Sequence, residues 1–446
     1  MPLPRPAIRP DRPNSSLSHD NNQIDVPAFE CADGGPIAHN GDMGDFQQNG
    51  QIATLHALSD RPVAELEAQL TEWSAQRPMA LVIPCLFSEL AGNALPKILD
   101  EISKITYLDE VIVGIDRANA DQFAEAREFF SRLPQRTRLL WNDGPRMTAI
   151  DEKLAEHSLA PDEPGKGRNV WYCLGYFLAS GRGSAVALHD ADILTYERGM
   201  VARLIYPIMH PNFGYTFSKG YYFREAEGRL HGRAVRLLVA PLIRALRASI
   251  GNDDYLSYLE SFRYPLAGEF AMDADVVQSI RIPSDWGLEI GVLSEVYRIF
   301  RPSRLCQVEI ADRYDHKHQE LGVDDPDVGL HKMGRDIAKA VFRKLAIDGT
   351  VFTPETFRTV KAAYYRQALD LVDHYQNDAV MNGYSYDRHA EETAVEMFAQ
   401  SIMEAGSKFL SKPMETPFIP NWSRVESAIP GVMDDLLAAV EADNGP

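Results

Sequence analysis

Along the chain, apolar and polar residues sort into a repeating texture that begins near residue 79. Met79–Leu86 (MALVIPCL) is a continuous apolar run, as expected of a strand covered on both faces. Glu110–Asp116 (EVIVGID) is a second such run, Thr137–Asp143 (TRLLWND) a third and Ser184–Asp190 (SAVALHD) a fourth. A helix is predicted from about Gly92 to Ile105, and Val170–Ala179 (VWYCLGYFLA) reads as another. Upstream, Val63–Ser74 (VAELEAQLTEWS) follows Asp60 and Pro62, which together form a helix start signal. Strands alternating with helices predict an α/β fold built on a doubly wound, mostly parallel sheet. Ser303–Gly322 reads as a later strand followed by a polar stretch.

The flanks have a different texture. Residues 1–55 are rich in Pro, Asn, Asp and Gly with little periodicity, and are expected to be largely disordered. Residues 326–446 read mainly as amphipathic helix, with Pro354–Tyr375 the clearest example. That region shows no chemistry; packing or an oligomer interface, such as a homodimer, is its expected use. The chain therefore divides into a tail (1–55), an α/β domain (56–325) and a helical C-terminal region (326–446).

In a doubly wound sheet, ligands bind at the carboxyl ends of the strands. The first run ends in Pro84, Cys85 and Leu86, with Ser88 and Glu89 just beyond; the second ends in Asp116; the fourth ends in Asp190 and Asp192. Acids often end strands because Asp favours turns and caps helices. Two carboxylates just past a buried strand can also share one hard divalent cation. No G-x-x-x-x-G-K-[ST] follows a strand, and no G-x-G-x-x-G follows the first, which disfavours a P-loop NTPase and a dinucleotide dehydrogenase. Without a glycine-rich cradle, a pyrophosphate must be neutralised otherwise, and a metal at Asp190-Ala191-Asp192 would do so. His316 and His318 in DHKHQ add two further candidate ligands beyond a later strand.

Bulk properties narrow the classes. The 446 residues are 45% hydrophobic with a net charge of −19, which supports a large core and argues against nucleic acid or an acidic membrane surface as partner. The four cysteines have no metal-type spacing, and Cys85 and Cys173 lie in apolar runs, so free buried thiols of a reducing compartment are expected. The N-terminus lacks an apolar signal core and no run is long enough to span a bilayer; a cytoplasmic protein is expected. Six arginines fall between Arg224 and Arg247: Arg224, Arg229, Arg233, Arg236, Arg244 and Arg247. Arginine is the preferred partner of phosphate and carboxylate, which favours an anionic ligand here. Arg236, Arg244 and Arg247 are expected on a helix, merely solvated.

Taken in order, LVIPCLFSE, VIVGID, GKGRNVW, HDADI, LHGRAVRLLVAPLI, SDWGLEIGVL and DHKHQ resemble the glucosyl-3-phosphoglycerate synthases, retaining glycosyltransferases of the GT-A fold. The resemblance runs from about Leu81 to Gly322. It implies a metal-dependent transfer of glucose from a nucleotide sugar (UDP-glucose or similar) to 3-phosphoglycerate, with Mg²⁺ or Mn²⁺ as cofactor. It implies that Pro84, Cys85, Leu86 and Glu89 hold the uridine end, with Asp116 at a uracil-contacting position usually occupied by serine. Lys166 would sit beside the pyrophosphate, with Gly165 and Gly167 allowing close backbone approach. Asp190 and Asp192 would be the aspartate pair, Asp192 the direct metal ligand and His316 its histidine partner. Glu289 would lie near the sugar hydroxyls, and Gly232 and Arg233 on the loop that holds the phosphoglycerate. Catalytic weight therefore falls on Lys166, Asp190, Asp192 and Glu289.

Two departures bear on the acceptor. Val235 replaces the usual threonine, and His318 and Gln319 replace the Asn and Arg of some relatives. The alternatives are another donor or acceptor on the same fold, such as mannosyl transfer to glycerate or phosphoglycerate, and a nucleotide-sugar-binding protein without turnover.

Overall fold

The apolar runs fold as strands because both sheet faces are covered. The computed structural model describes residues 48, 50–161, 163–316, 327–412, 415 and 418–445. The central sheet has eight strands: β1 (Ala53–Leu55), β2 (Met79–Leu86), β3 (Leu108–Asp116), β4 (Arg136–Trp141), β5 (Ala185–Leu188), β6 (Phe217–Tyr222), β7 (Phe270–Asp273) and β8 (Leu305–Ala311). Alternate residues serve opposite cores, as strand geometry requires. Ala80 and Val82 of β2, with Val186 and Leu188 of β5, join one buried cluster. Leu81, Ile83 and Cys85, with Ala185 and Ala187, join the other.

Across the sheet the order is β1-β8-β6-β7-β5-β2-β3-β4. Neighbours are parallel except that β7 runs against both β5 and β6. The chain winds outward from β2 through β3 to β4 on one side, while β5 returns to the other side of β2. The topological switch point thus lies between β2 and β5, where such sheets bind ligands. The register sharpens it. Leu188, the last residue of β5, pairs with Val82, whereas β2 continues to Leu86 opposite Asp116. β5 stops short and leaves a notch along the end of β2.

Val63–Ser74 is helical over the predicted span, and Ala94–Ile102 and Lys166–Ser180 form the other two expected helices. Two strands had not been legible, β6 and β7. β1 also falls inside the segment expected to lack structure: its three residues pair with Cys306–Val308, and Gln307 donates to Thr54 Oγ1 at 2.8 Å. Residues 1–47 of that segment lie outside the described residues.

The C-terminal helices are part of the same core. Gly329–Ile347, Pro354–Met381 and Arg388–Ser411 bring Phe342, Phe357 and Phe398 into the cluster that holds Val82 and Leu188. Gln48–Pro446 clusters as one compact unit. Val432–Asn444 returns to cover β4, where Glu441 meets Arg136 Nη2 at 2.6 Å and Arg138 Nε at 2.9 Å. Trp422 stacks on Trp171 with centroids 4.0 Å apart and donates to its carbonyl at 3.0 Å. Cys85, Cys173 and Cys306 are buried free thiols, and burial pushes each well above the usual thiol range. Among the described residues no helix is long and apolar enough to cross a membrane.

The Trp171–Trp422 stack makes the unity of the fold measurable. Trp422→Ala should cost about 3–5 kcal/mol and lower the midpoint of one cooperative unfolding transition. A calorimetric trace in which a C-terminal transition separates from an unshifted main one would contradict a shared core.

Candidate active site

The notch at the end of β2 gathers the residues the strand ends pointed to. Pro84 and Glu89 are half-buried and Leu86 is exposed, with Glu89 on a short 3₁₀ turn, Phe87–Ala91. Cys85 is 2% exposed, and its thiol donates to Leu86 O at 3.2 Å. Asp116 ends β3 and accepts from Asn142 Nδ2 at 2.8 Å. Burial raises its pKa, and its bonds to the Asn142 and Asn169 amides offset this only in part.

Beside the notch lies a cluster of charge. Lys166 is the first residue of the Lys166–Ser180 helix, and its Nζ sits 2.7 Å from Asp190 Oδ1 and 3.1 Å from Glu289 Oε1. Burial works against the Lys166 ammonium, but Asp190 and then Glu289 outweigh it and raise its pKa above the ordinary range. Glu289 comes from the first turn of Leu288–Ile299, so the acids expected near the sugar and the leaving group share one cation. At Gly167 a Cβ would stand 2.0 Å from Pro283 O, so its bareness lets the helix pack on the segment that leads to Glu289. At Gly268 a Cβ would fall 2.3 Å from Asp190 Oδ2, which fixes that carboxylate against the start of β7.

Four further residues of the cluster were missed: Lys219 and Tyr222 lie on β6, Glu269 just before β7 and Tyr314 just after β8. Lys219 is 1% exposed and donates to Ala267 O at 2.5 Å. Glu269 is fully buried and accepts from Tyr222 OH at 2.9 Å and Tyr314 OH at 2.6 Å. The two tyrosine rings stack with centroids 3.7 Å apart. Burial, then the Asp190 charge, raises the Glu269 pKa. The available signal was a lysine and a glutamate inside otherwise apolar stretches, FSKGYYF and AGEFAM.

The metal pair also converges. Ile193 bridges to His316 across a short antiparallel contact, and Leu194 N–H donates to Asp315 O at 2.8 Å. This places His316 Nδ1 3.6 Å from Asp192 Oδ2, a spacing that one cation bound at about 2.0–2.2 Å by each could bridge. Burial pushes the Asp192 carboxyl up, but the His316 bond and charge, with Lys166, hold it below the usual range. Among the described residues no cluster of three ligating side chains exists. Two protein ligands suit a hard cation that completes its shell with substrate phosphate and water. His318 and Gln319 lie outside the described residues.

On the far side of Tyr314, Arg224 reaches Tyr264 OH at 3.4 Å, and its Nε is buried without a hydrogen-bond partner among the described residues. Gly232 holds φ of +77°, a conformation open to glycine, against the same Tyr264. Arg233 follows it, half-buried, and Val235 is buried. Arg229 is exposed and donates to Ser385 Oγ at 3.1 Å. The expectation of solvated charges along the next helix holds for Arg244, which is exposed, and for Arg247, which pairs with Glu260 at the surface. It fails for Arg236, which is 8% exposed in a π-helical turn, Ala234–Val239, and paired with Glu391.

No family model matches the chain. Whole-length relatives do. The chain is 44% identical over 402 residues to glucosyl-3-phosphoglycerate synthase of Persephonella marina, covering 90% of this chain and 99% of that protein. It belongs to the glucosyl-3-phosphoglycerate synthase family. The synthase of Methanococcoides burtonii is 37% identical over 90% of this chain and 98% of its own. A solved structure of the Mycobacterium tuberculosis synthase, in complex with Mn²⁺, UDP-glucose and phosphoglyceric acid, matches 66% of this chain and 88% of its own. It does so at 23% identity with a TM-score of 0.48.

Lys219 supplies a pH test. Burial lowers its pKa from 10.5 to about 8, with Lys166 acting the same way and Glu289, Glu269 and Asp190 opposing. The unfolded chain keeps this proton to 10.5 while the folded chain sheds it near 8, so stability should rise across that window. Relative to Lys219→Met, the wild type should gain up to about 3 kcal/mol between pH 8 and 10.5. Urea unfolding at the two pH values checks this, and a pH-independent difference would contradict it.

Proposed function

We propose that the chain is a retaining glucosyltransferase that moves glucose from UDP-glucose to 3-phosphoglycerate. The observation that carries the reading is the meeting of Lys166, Asp190 and Glu289 with the Asp192–His316 pair at the β2/β5 switch point, in a chain whose whole-length relatives are named for this reaction. Pro84, Leu86, Glu89 and Asp116 line the end of the notch and receive the uridine. A half-buried carboxylate such as Glu89 accepts from the N–H and O–H groups of a nucleoside. Asp192 and His316 hold Mg²⁺ or Mn²⁺, which when bound supplies Lewis-acid stabilisation of the departing diphosphate. Lys166 places a fixed ammonium where negative charge grows as the sugar leaves.

Retention follows without a covalent step on the enzyme. Asp190 and Glu289 are both tied to Lys166, which blunts them as nucleophiles. The C1–O bond to the diphosphate breaks, the acceptor hydroxyl oxygen bonds C1 from the same face, and its proton passes to the leaving diphosphate. Glu289 instead orients the sugar hydroxyls. Arg233 and Arg224 flank Gly232 and offer guanidinium groups to the acceptor's phosphate and carboxylate.

Kinetics and metal binding test these roles. Lys166→Ala should lower kcat about 10–10³-fold, and Asp192→Asn should abolish Mn²⁺ binding measured calorimetrically in the presence of UDP. Unaltered turnover in excess chelator would overturn the metal assignment. Arg233→Ala should raise the KM for 3-phosphoglycerate about 10–150-fold, the worth of one charge-assisted bond, and leave the KM for UDP-glucose unchanged. A preference of the wild type for unphosphorylated glycerate would refute this acceptor while leaving the donor site intact.

A further inference from the structure

The helices beyond residue 326 showed no chemistry in the sequence, yet they hold the Arg224–Val239 segment throughout its length. Ser385 N–H donates to Gly228 O at 2.9 Å, and its hydroxyl accepts from Arg229 Nε. Tyr364 OH donates to Leu237 O at 2.6 Å inside the π-helical turn. The Arg236 guanidinium lies 4.7 Å over the Tyr375 ring. A buried acidic contact comes from Glu391, whose side chain is 5% exposed. Its Oε1 accepts from Arg233 Nε at 2.7 Å, and its Oε2 stands 2.9 Å from Arg236 Nη1.

This geometry is specific about which part of Arg233 is taken. A guanidinium offers its Nε corner and a fork of two terminal nitrogens. Glu391 occupies the corner. Among the described residues no hydrogen bond or ion pair engages the fork. One carboxylate between two guanidinium groups also leaves a surplus positive charge, which an anionic ligand would balance. We propose that Glu391 is a positioning residue for acceptor recognition: it locks Arg233 by its Nε corner and leaves the terminal fork to the acceptor's anionic group. The C-terminal helices are then a wall of the acceptor site. This rests on the reading that Arg233 binds the acceptor.

Removing the Glu391 charge has two opposite effects on an anion. It raises the local positive potential, which alone would tighten binding. It also frees Arg233 and leaves buried Arg236 unbalanced, which loosens the fork. The sign of the change in acceptor KM therefore decides between a positioning role and mere charge suppression.

The experiment is steady-state kinetics of the full chain with 3-phosphoglycerate and UDP-glucose. Glu391→Gln should raise the acceptor KM about 10-fold, equivalent to about 1.4 kcal/mol, with kcat and the UDP-glucose KM within about two-fold. In an Arg233→Ala background the same substitution should change the acceptor KM less than about two-fold, because the effect runs through Arg233. Glu391→Asp keeps the charge but is too short to span both arginines; it decides the matter if Glu391→Gln does not fold, and should raise the KM several-fold. An unchanged or lower acceptor KM in a folded variant, or full additivity with Arg233→Ala, overturns the proposal. If Arg233→Ala alone leaves the acceptor KM unchanged, it is the acceptor reading that fails.

Discussion

The ammonium of Lys166 is the tie on which the site depends. It joins two carboxylates, Asp190 and Glu289, that the chain delivers from a strand end and from the first turn of a helix about a hundred residues later. Two such carboxylates in one crevice would repel each other, and a shared cation offsets that repulsion. The surrounding backbone is fitted to that arrangement. Gly167 lets the lysine's helix close on Pro283, and Gly268 lets β7 begin against Asp190. The short β5 leaves the space into which all of this projects.

Much of this sheet was legible because its strands are buried on both faces. MALVIPCL, EVIVGID and SAVALHD contain little but apolar residues at the positions that pair, so they stood out as short continuous apolar runs. β6 and β7 escaped because function overrides the local pattern there: Lys219 and Glu269 interrupt the apolar runs, and β7 has only four residues. The acid pair Asp190 and Asp192 could be read from its place after a strand. Lys166 and Glu289 had no such local signal and came only from the resemblance. Arg236 was misplaced for a different reason. Its burial depends on Glu391, and a partner 155 positions away leaves no mark on the sequence near the arginine.

The C-terminal helices change what counts as the catalytic body. Their aromatic residues complete one of the two sheet cores, and their polar residues fasten the loop that carries Gly232 and Arg233. A loop with a positive-φ glycine would otherwise be free to move. Here it is stitched to rigid helices on one side and rests against Tyr264 on the other. Positioning of an arginine is thereby assigned to packed secondary structure, which holds geometry better than a loop alone.

One quieter feature concerns the outer edge of the sheet. β4 is an edge strand, and Asn444 seals it: the side-chain amide donates to Leu139 O at 2.8 Å and accepts from Leu139 N–H at 2.9 Å, imitating a neighbouring strand. The seal comes from 305 positions further along the chain. At a synthesis rate of about 5–20 residues per second, roughly 15–60 s separate the emergence of the edge from that of its cover. During that interval the nascent sheet presents bare peptide groups beside an apolar face, the kind of surface that recruits other strands.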